Sequence, residues 1–365
     1  MEIEVVSSEA ALRSLFDDWR DLQSRAGRQP FTDPAFFSAW WDNHGRASGR
    51  TLHIVTGRRE GRLVALAPLV IARRYGVRIL EWGGANVLDY GDMVLDREGD
   101  AGDLWHVIRR SRKYDLAFIR SLHADCSCRG TVGEFGYQAR SRSLYYFHNS
   151  WSSGDAWLAE LPSKKRKRLR QMERRLEDRE SIRFNVHTVG RAPQAVLGAL
   201  IDQKAAWAAK NARTGLFDDP APAAALLTRL ADAAAELGNL HLSWLSRGDQ
   251  ILATHLGFVH RSVLYYYMPS YDAALGRYSP GSILLAKLLA WCSDEGLSGL
   301  DFLQGDDPYK AAFATSRVTV DDFSFARSTR GWAAELAVRT LYNRQNRQSR
   351  SPRARSVWAA AHARS

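Results

Sequence analysis

The segment from Tyr265 to Phe313 holds the densest set of residues able to do chemistry. An aromatic run ends in Pro269-Ser270-Tyr271-Asp272, and the loop Gly276-Arg277-Tyr278-Ser279-Pro280-Gly281-Ser282 follows. That loop opens a helix expected over Ser282–Asp294. The first turn of a helix has free N–H groups and the positive end of the dipole, so it can hold a phosphate. Gly281 allows close backbone approach, Ser279 or Ser282 can cap or donate, and Arg277 can pair with a pyrophosphate. The same residues also make an ordinary capped turn into a core helix. Cys126 and Cys128 form a CxC pair without a second ligand pair, and Cys292 stands apart. A structural zinc wants four ligands, so reduced thiols and no metal are expected.

A second anion-binding candidate is the run Lys164 to Arg175, with eight basic residues and one acid. Ser163 is a candidate N-cap, and Leu169, Met172 and Leu176 mark one apolar stripe. The run reads either as a solvated face docked by that stripe or as a surface for a phosphorylated cofactor, tRNA or a membrane. Arg339 to Ser365 adds seven arginines and no acid, and is expected to fray. The whole chain carries +11; without these two segments, 36 basic residues face 39 acidic ones. The body is therefore nearly neutral, and the positive charge is local.

With 365 residues, 45% hydrophobic and 25% charged, the chain can bury a sizeable core. That composition excludes a disordered, collagen-like or coiled-coil architecture. No apolar run approaches the ~20 residues needed to span a bilayer, and the acidic, amphipathic N-terminus is unlike a signal peptide. The expected location is the cytoplasm.

The elements that must position these residues alternate between helix and strand. Helices are expected at Ala10–Gln23, and at Pro34–Asn43 with Asp33 as its cap. A hairpin over Leu52–Arg58 and Leu63–Ile71 turns at Arg59-Glu60-Gly61-Arg62. Short strands flank the Gly83–Asp92 loop, then a helix at Leu104–Lys113 leads to a strand at Leu116–Arg120. The second half repeats this order. Its strands are expected at Ile182–Thr188, His241–Ser246, Ile251–Val259, Val263–Met268, Gly299–Leu303 and Val318–Ala326. Gly61–Ala65 matches Asp249–Ala253 in kind, and Asp115–Ile119 matches Gly299–Leu303. A duplicated mixed α/β unit accounts for the length.

The loop into the Ser282 helix, followed by Asp301-Phe302-Leu303-Gln304-Gly305-Asp306-Asp307-Pro308-Tyr309-Lys310, resembles the CelD-like acetyltransferases, a branch of the GNAT superfamily. Phe31-Thr32-Asp33-Pro34, Trp40-Trp41, Gly61–Pro68, Asp89-Tyr90-Gly91-Asp92 and the basic helix fit the same likeness, which spans roughly residues 30–328. The family is also similar to the FemAB/FemX aminoacyl-tRNA-dependent transferases, which carry two GNAT-like units. The resemblance implies two tandem GNAT-like units, each a twisted mixed sheet flanked by helices. A degenerate acceptor-side unit would cover residues 1–150 and an acyl-donor unit residues 151–330. A helix and Arg-rich tail would cover 331–365. It further implies acetyl-CoA or another acyl-CoA as co-substrate, with its pyrophosphate on Arg277, Tyr278, Ser279, Gly281 and Ser282. That turn departs from the family pattern, because Pro280 replaces the first glycine and removes an N–H.

Such chemistry needs a proton acceptor for the amine and donors for the oxyanion or leaving thiolate. The candidates are His255 as base, Tyr267 (with Tyr271 and Tyr278) as donor, and Lys310 as a contact to phosphate or carboxylate. His255 also reads as a half-buried core histidine, and the tyrosines as packing. Asp89, Tyr90, Asp92, Asp272, Gln304, Asp306 and Tyr309 are candidate acceptor contacts. The expected reaction is acyl transfer to an amine of a sugar, polysaccharide precursor or small metabolite. Aminoacyl-tRNA dependence and a non-catalytic binding module are the alternatives.

Overall fold

A computed structural model describes residues 1–177, 180–210, 215–305 and 307–349. Asp306 and the tail after 349 therefore lie outside the described residues. The first half runs β1 (Glu2–Val6), α1 (Glu9–Ala26), α2 (Pro34–Trp40), β2 (Thr51–Leu52), β3 (Ile54–Arg59), β4 (Arg62–Ala67), β5 (Leu69–Arg74), β6 (Val77–Trp82), β7 (Val94–Leu95), α3 (Ala101–Arg110), β8 (Leu116–His123), α4 (Arg129–Phe135) and β9 (Tyr137–His148). The second runs α5 (Gly154–Glu160), α6 (Ser163–Glu177), β10 (Arg183–His187), α7 (Gln194–Lys210), α8 (Pro220–Glu236), β11 (Leu240–Arg247), β12 (Gln250–His260), β13 (Val263–Tyr271), α9 (Pro280–Asp294), β14 (Gly299–Asp301), α10 (Pro308–Phe313), β15 (Ser316–Ala326) and α11 (Thr329–Ser349). Among the described residues, no helix is long and apolar enough to cross a membrane.

Local chemistry explains most boundaries. The Asp33 carboxylate accepts the Ala35 N–H at 2.8 Å, and Pro34 starts α2. The basic helix begins at Ser163 itself, where the Pro162 carbonyl takes the N–H of Lys165 and Arg166, so Ser163 is not its cap. The run expected as one strand over Leu63–Ile71 is two. Pro68 has no N–H to give the ladder, so β4 ends before it and β5 begins after it in another sheet.

Strands β1, β3, β4 and β7 form a small sheet, and the other eleven form one continuous mixed sheet. Its order is β10-β11-β12-β13-β14-β9-β15-β8-β6-β5-β2. Strand β9 of the first half thus lies between β14 and β15 of the second, and β15 lies between β9 and β8. Each half also holds one parallel pair. β6 and β8 pair at Ile79–Leu116 and Leu80–Ala117, and β13 and β14 pair from Val263–Gly299 to Tyr265–Asp301. Beyond those positions the paired strands part.

The core differs on the two faces of β12 and β13. Leu256, Phe258, Tyr265 and Tyr267 face a cluster with Trp19, Phe31 and Phe36 of the first half and Leu226, Leu227 and Leu230 of α8. Leu264 and Tyr266 face Leu285, Leu288 and Leu289 of α9.

Candidate functional site

The site forms where the loop after β6 meets the loop after β14. The first loop folds back on its own strand. A Cβ at Gly91 would come within 2.0 Å of the Trp82 ring, so only glycine fits there. That turn separates two neighbouring carboxylates. Asp89 lines a cleft between the halves, whereas Asp92 points into the Cys126–Cys128 loop and accepts the N–H groups of Met93, Ser127 and Cys128. Asp92 therefore does not join Asp89 at the cleft. Its carboxyl and both thiols lie within 4.8 Å of one another, which brings three candidate metal ligands together.

Tyr90 reaches the second half. Its hydroxyl donates to the two Asp301 oxygens at 3.0 and 3.1 Å. Asp301 also accepts the Leu303 N–H at 2.7 Å, which turns the chain just past β14, and Leu303 takes a left-handed φ of 55°. Such a φ is costly for a branched side chain and persists only where surrounding contacts fix it. Lys310 supplies two of those contacts. It is 4% exposed, and its ammonium donates to the Phe302 carbonyl at 2.9 Å and the Gln304 carbonyl at 2.6 Å. Burial lowers its pKa, opposed by Asp307, Asp89 and Asp301. Lys310 thus shapes the loop from inside and is not free for a substrate phosphate.

Gln304 ties that loop to the first half. Its side-chain amide donates to the Asp89 carbonyl at 2.7 Å and to Ser121 Oγ at 2.8 Å, and its side-chain oxygen accepts from Arg142. Arg142 also donates to Asp322 at 2.8 Å, and Asp322 accepts the Ser121 N–H at 2.8 Å. Asp301, Ser121, Arg142 and Asp322 did not stand out in the sequence as site residues. Only Asp301 carried a signal, as the first residue of the Asp301–Lys310 segment.

Electrostatics follow from burial. Asp89 is pushed up to about 6 chiefly by desolvation, against the pull of Lys310 and Arg142. Asp301 is pushed up to about 7 by desolvation, with the Leu303 N–H and Tyr90 hydroxyl opposing. Both values lie above the ~3.9 of a free aspartate. Asp89 is the better placed proton acceptor, because it lines the cleft while Asp301 already accepts two hydrogen bonds. The cleft encloses about 370 Å³.

A second groove lies on the far side of the same loop. Tyr266, Tyr271, Gly281, Ser282 and Tyr309 line its inner part. Ser282 and Tyr309 continue into an outer part of about 560 Å³ with Lys164, Lys165, Arg168, Leu169 and Phe313. The turn into α9 is mostly spent on itself. Ser279 is left-handed at φ 56°, its carbonyl takes the N–H of Ser282 and Ile283, and Pro280 has none. Among the described residues, the Gly281 N–H in that first turn has no backbone partner. Arg277 is exposed and lies over the Tyr278 ring at 4.6 Å. Asp272 caps the short turn before it, accepting the Ala274 N–H at 2.9 Å.

The remaining candidates separate. Tyr267 faces the first half, where its hydroxyl donates to the Val87 carbonyl at 3.0 Å. His255 lies on the opposite face, 0% exposed and stacked on Tyr266 at 4.5 Å. Burial and the neighbouring His241 hold its pKa well below the ordinary value. A ring so enclosed has no route to an amine in either cavity.

No curated protein matches the chain in sequence. In fold it is similar to the crystal structure of FemX, with a TM-score of 0.59 at 9% identity, covering 93% of this chain and 100% of that one. It is also similar to L-PGS from Bacillus licheniformis, with a TM-score of 0.52 at 14% identity over 92% of this chain and 97% of that one. Residues 163–311, which contain most of the groove lining and the stretch after β14, match the family model described as an acetyltransferase (GNAT) domain.

Proposed function

We propose that the chain is an N-acyltransferase in which the α9 groove seats the acyl donor and the cleft between the halves seats the acceptor amine. The observation that carries this reading is that the described residues leading from β14 into α10 border both cavities. Gln304 lines the cleft, and Tyr309 lines the groove. An amine held in the cleft attacks the acyl carbonyl carbon. The carbon–sulfur bond of the thioester breaks, the amine proton passes to Asp89, and the thiolate leaves with a proton from solvent or Tyr309. The step requires that the amine reach the acyl carbon past this loop, and positioning both partners at that meeting point lowers the entropic part of the barrier. Two features support an acyl-CoA as donor: aromatic rings line the inner groove, and Lys164 and Arg168 bring positive charge to its outer part. The resemblance of the turn into α9 and of the stretch after β14 to the CelD-like acetyltransferases favours a saccharide or envelope precursor as acceptor.

The test is thermal stability with CoA, acetyl-CoA, longer acyl-CoAs and aminoacyl-tRNA. A ligand at one hundred times its dissociation constant adds ~2.7 kcal/mol. A shift with an acyl-CoA that disappears in Ser282→Tyr, which fills the groove, supports the reading. No shift with any donor overturns it. One observation favours the aminoacyl-tRNA variant: the outer groove is bordered by the most basic helix of the chain. Binding of aminoacyl-tRNA that weakens steeply with salt, without any acyl-CoA binding, would select that variant.

A further inference from the structure

The two halves open in the same way but with opposite chemistry. In the second half the gap left by the parting strands β13 and β14 is walled by the rings of Tyr266, Tyr271 and Tyr309. In the first half the gap left by β6 and β8 is the cleft, walled by Arg120, Arg140 and Arg142. An acyl chain suits the first kind of wall. The second kind calls for an anion.

The cleft's own carboxylates answer that call for Arg120 and Arg142 and leave it open at Arg140. Glu81 is already shared by Arg50 at 2.9 Å, Arg74 at 3.4 Å and Arg120 at 3.9 Å. Asp322 is taken by Arg142 and the Ser121 N–H. Asp89 is balanced from the loop side by Lys310. Arg140 has no ion-pair partner among the described residues, and its guanidinium lies over the Tyr342 ring at 5.3 Å. Among the described residues, the buried Nε atoms of Arg120 and Arg142 have no hydrogen-bond partner, while their outer nitrogens bond Asn86, Gln304 and Asp322. Tyr342 sits among all three arginines, with Asp322 acting on its hydroxyl in the opposite sense. A guanidinium fork fits a phosphate or carboxylate by two parallel bonds.

We propose that the cleft recognises an acceptor carrying an acidic group, a small amine with a phosphate or carboxylate that Arg140 holds while its nitrogen lies at Asp89. This rests on the acyltransferase reading of the same site. A cavity of about 370 Å³ holds a molecule the size of a sugar phosphate or amino acid.

The test is titration calorimetry on the full chain at fixed ionic strength, with glucosamine, glucosamine 6-phosphate, glutamate and inorganic pyrophosphate as probes. Glucosamine 6-phosphate is expected to bind roughly tenfold or more tightly than glucosamine, the size of one charge-assisted hydrogen bond. Arg140→Gln, which breaks no ion pair, should remove that preference without lowering the melting temperature. Arg13→Gln, on an exposed helix face far along the chain, should leave it intact. Tighter binding by glutamate than by the sugar phosphate would assign the acid as carboxylate. Equal binding of glucosamine and its phosphate, or no acidic probe bound better by the native chain than by Arg140→Gln, overturns the proposal. Acylation of neutral amines alone would also overturn it, yet leave the acyltransferase reading standing. Acidic probes bound through Arg140 but never acylated with any donor would do the reverse.

Discussion

Two buried aspartates with raised pKa values do different work. Asp89 must be ionised to take a proton, so transfer should rise as pH climbs through about 6. Asp89→Asn should cost roughly 10²–10⁴-fold in turnover while the donor-induced thermal shift stays. An unchanged pH profile in that variant would remove Asp89 from the role. Asp301 is structural. Its carboxyl ionises near 7 in the fold, against ~3.9 in an unfolded chain. A carboxyl raised this way adds stability in full below the unfolded value, and that stability is lost as pH rises through about 7. Asp301→Asn keeps an acceptor for Tyr90 and Leu303 but carries no charge. The variant should therefore melt at a smaller cost between pH 5 and pH 8 than the native chain, as read by scanning calorimetry. An equal loss in both proteins would show that Asp301 is not the group responsible.

At the scale of the element, the loop after β14 depends on one ammonium. Lys310→Met removes charge-assisted bonds to two buried carbonyls and should destabilise by about 3 kcal/mol. Donor binding should weaken with it, because Tyr309 is the adjacent residue. The basic helix is a separate lever. Lys164→Glu with Arg168→Glu should weaken donor binding and flatten its salt dependence, with the melting temperature nearly unchanged because both side chains are exposed. A binding curve that does not move would place the donor's phosphates elsewhere.

Such elements were readable to the degree that their signals are local. The Asp33–Pro34 start of α2 and the turn between β3 and β4 follow from adjacent residues, and the structure has both. The repeat of β8 and β14 was readable too, and each is the parallel partner in its half. Alternation placed His255, Ala253 and Gly257 on one face, but it could not say which face is closed. The closed side is set by α9, which packs there from a distant stretch of chain. Arg142, Ser121 and Asp322 were missed because each is an ordinary polar residue on its own strand. Their meaning comes from register, with Arg142 opposite Val320 and Ser121 bonded to Asp322. The strand at 137–148 was missed for a related reason: its polar first part alternates weakly until Leu144.

At the scale of the whole molecule, the exchange of β9 and β15 makes the halves interdependent. Neither half holds a complete set of neighbouring strands from its own sequence. Urea unfolding should therefore give one transition, coincident by far-ultraviolet circular dichroism and tryptophan fluorescence. Two separated transitions would show that the halves are independent. A fragment of residues 1–150 should not fold to a stable monomer, because β9 would lack both partners.

Synthesis of the chain inherits this arrangement. Both neighbours of the strand at 137–148 lie later in the sequence, so the strand leaves the ribosome long before anything can cap its edges. Open edges of that kind invite pairing with another nascent chain. The guanidiniums of Arg140 and Arg142, set within this strand, discourage such pairing while it waits. Charges that line a cavity in the finished protein would thus first serve as its guard during manufacture.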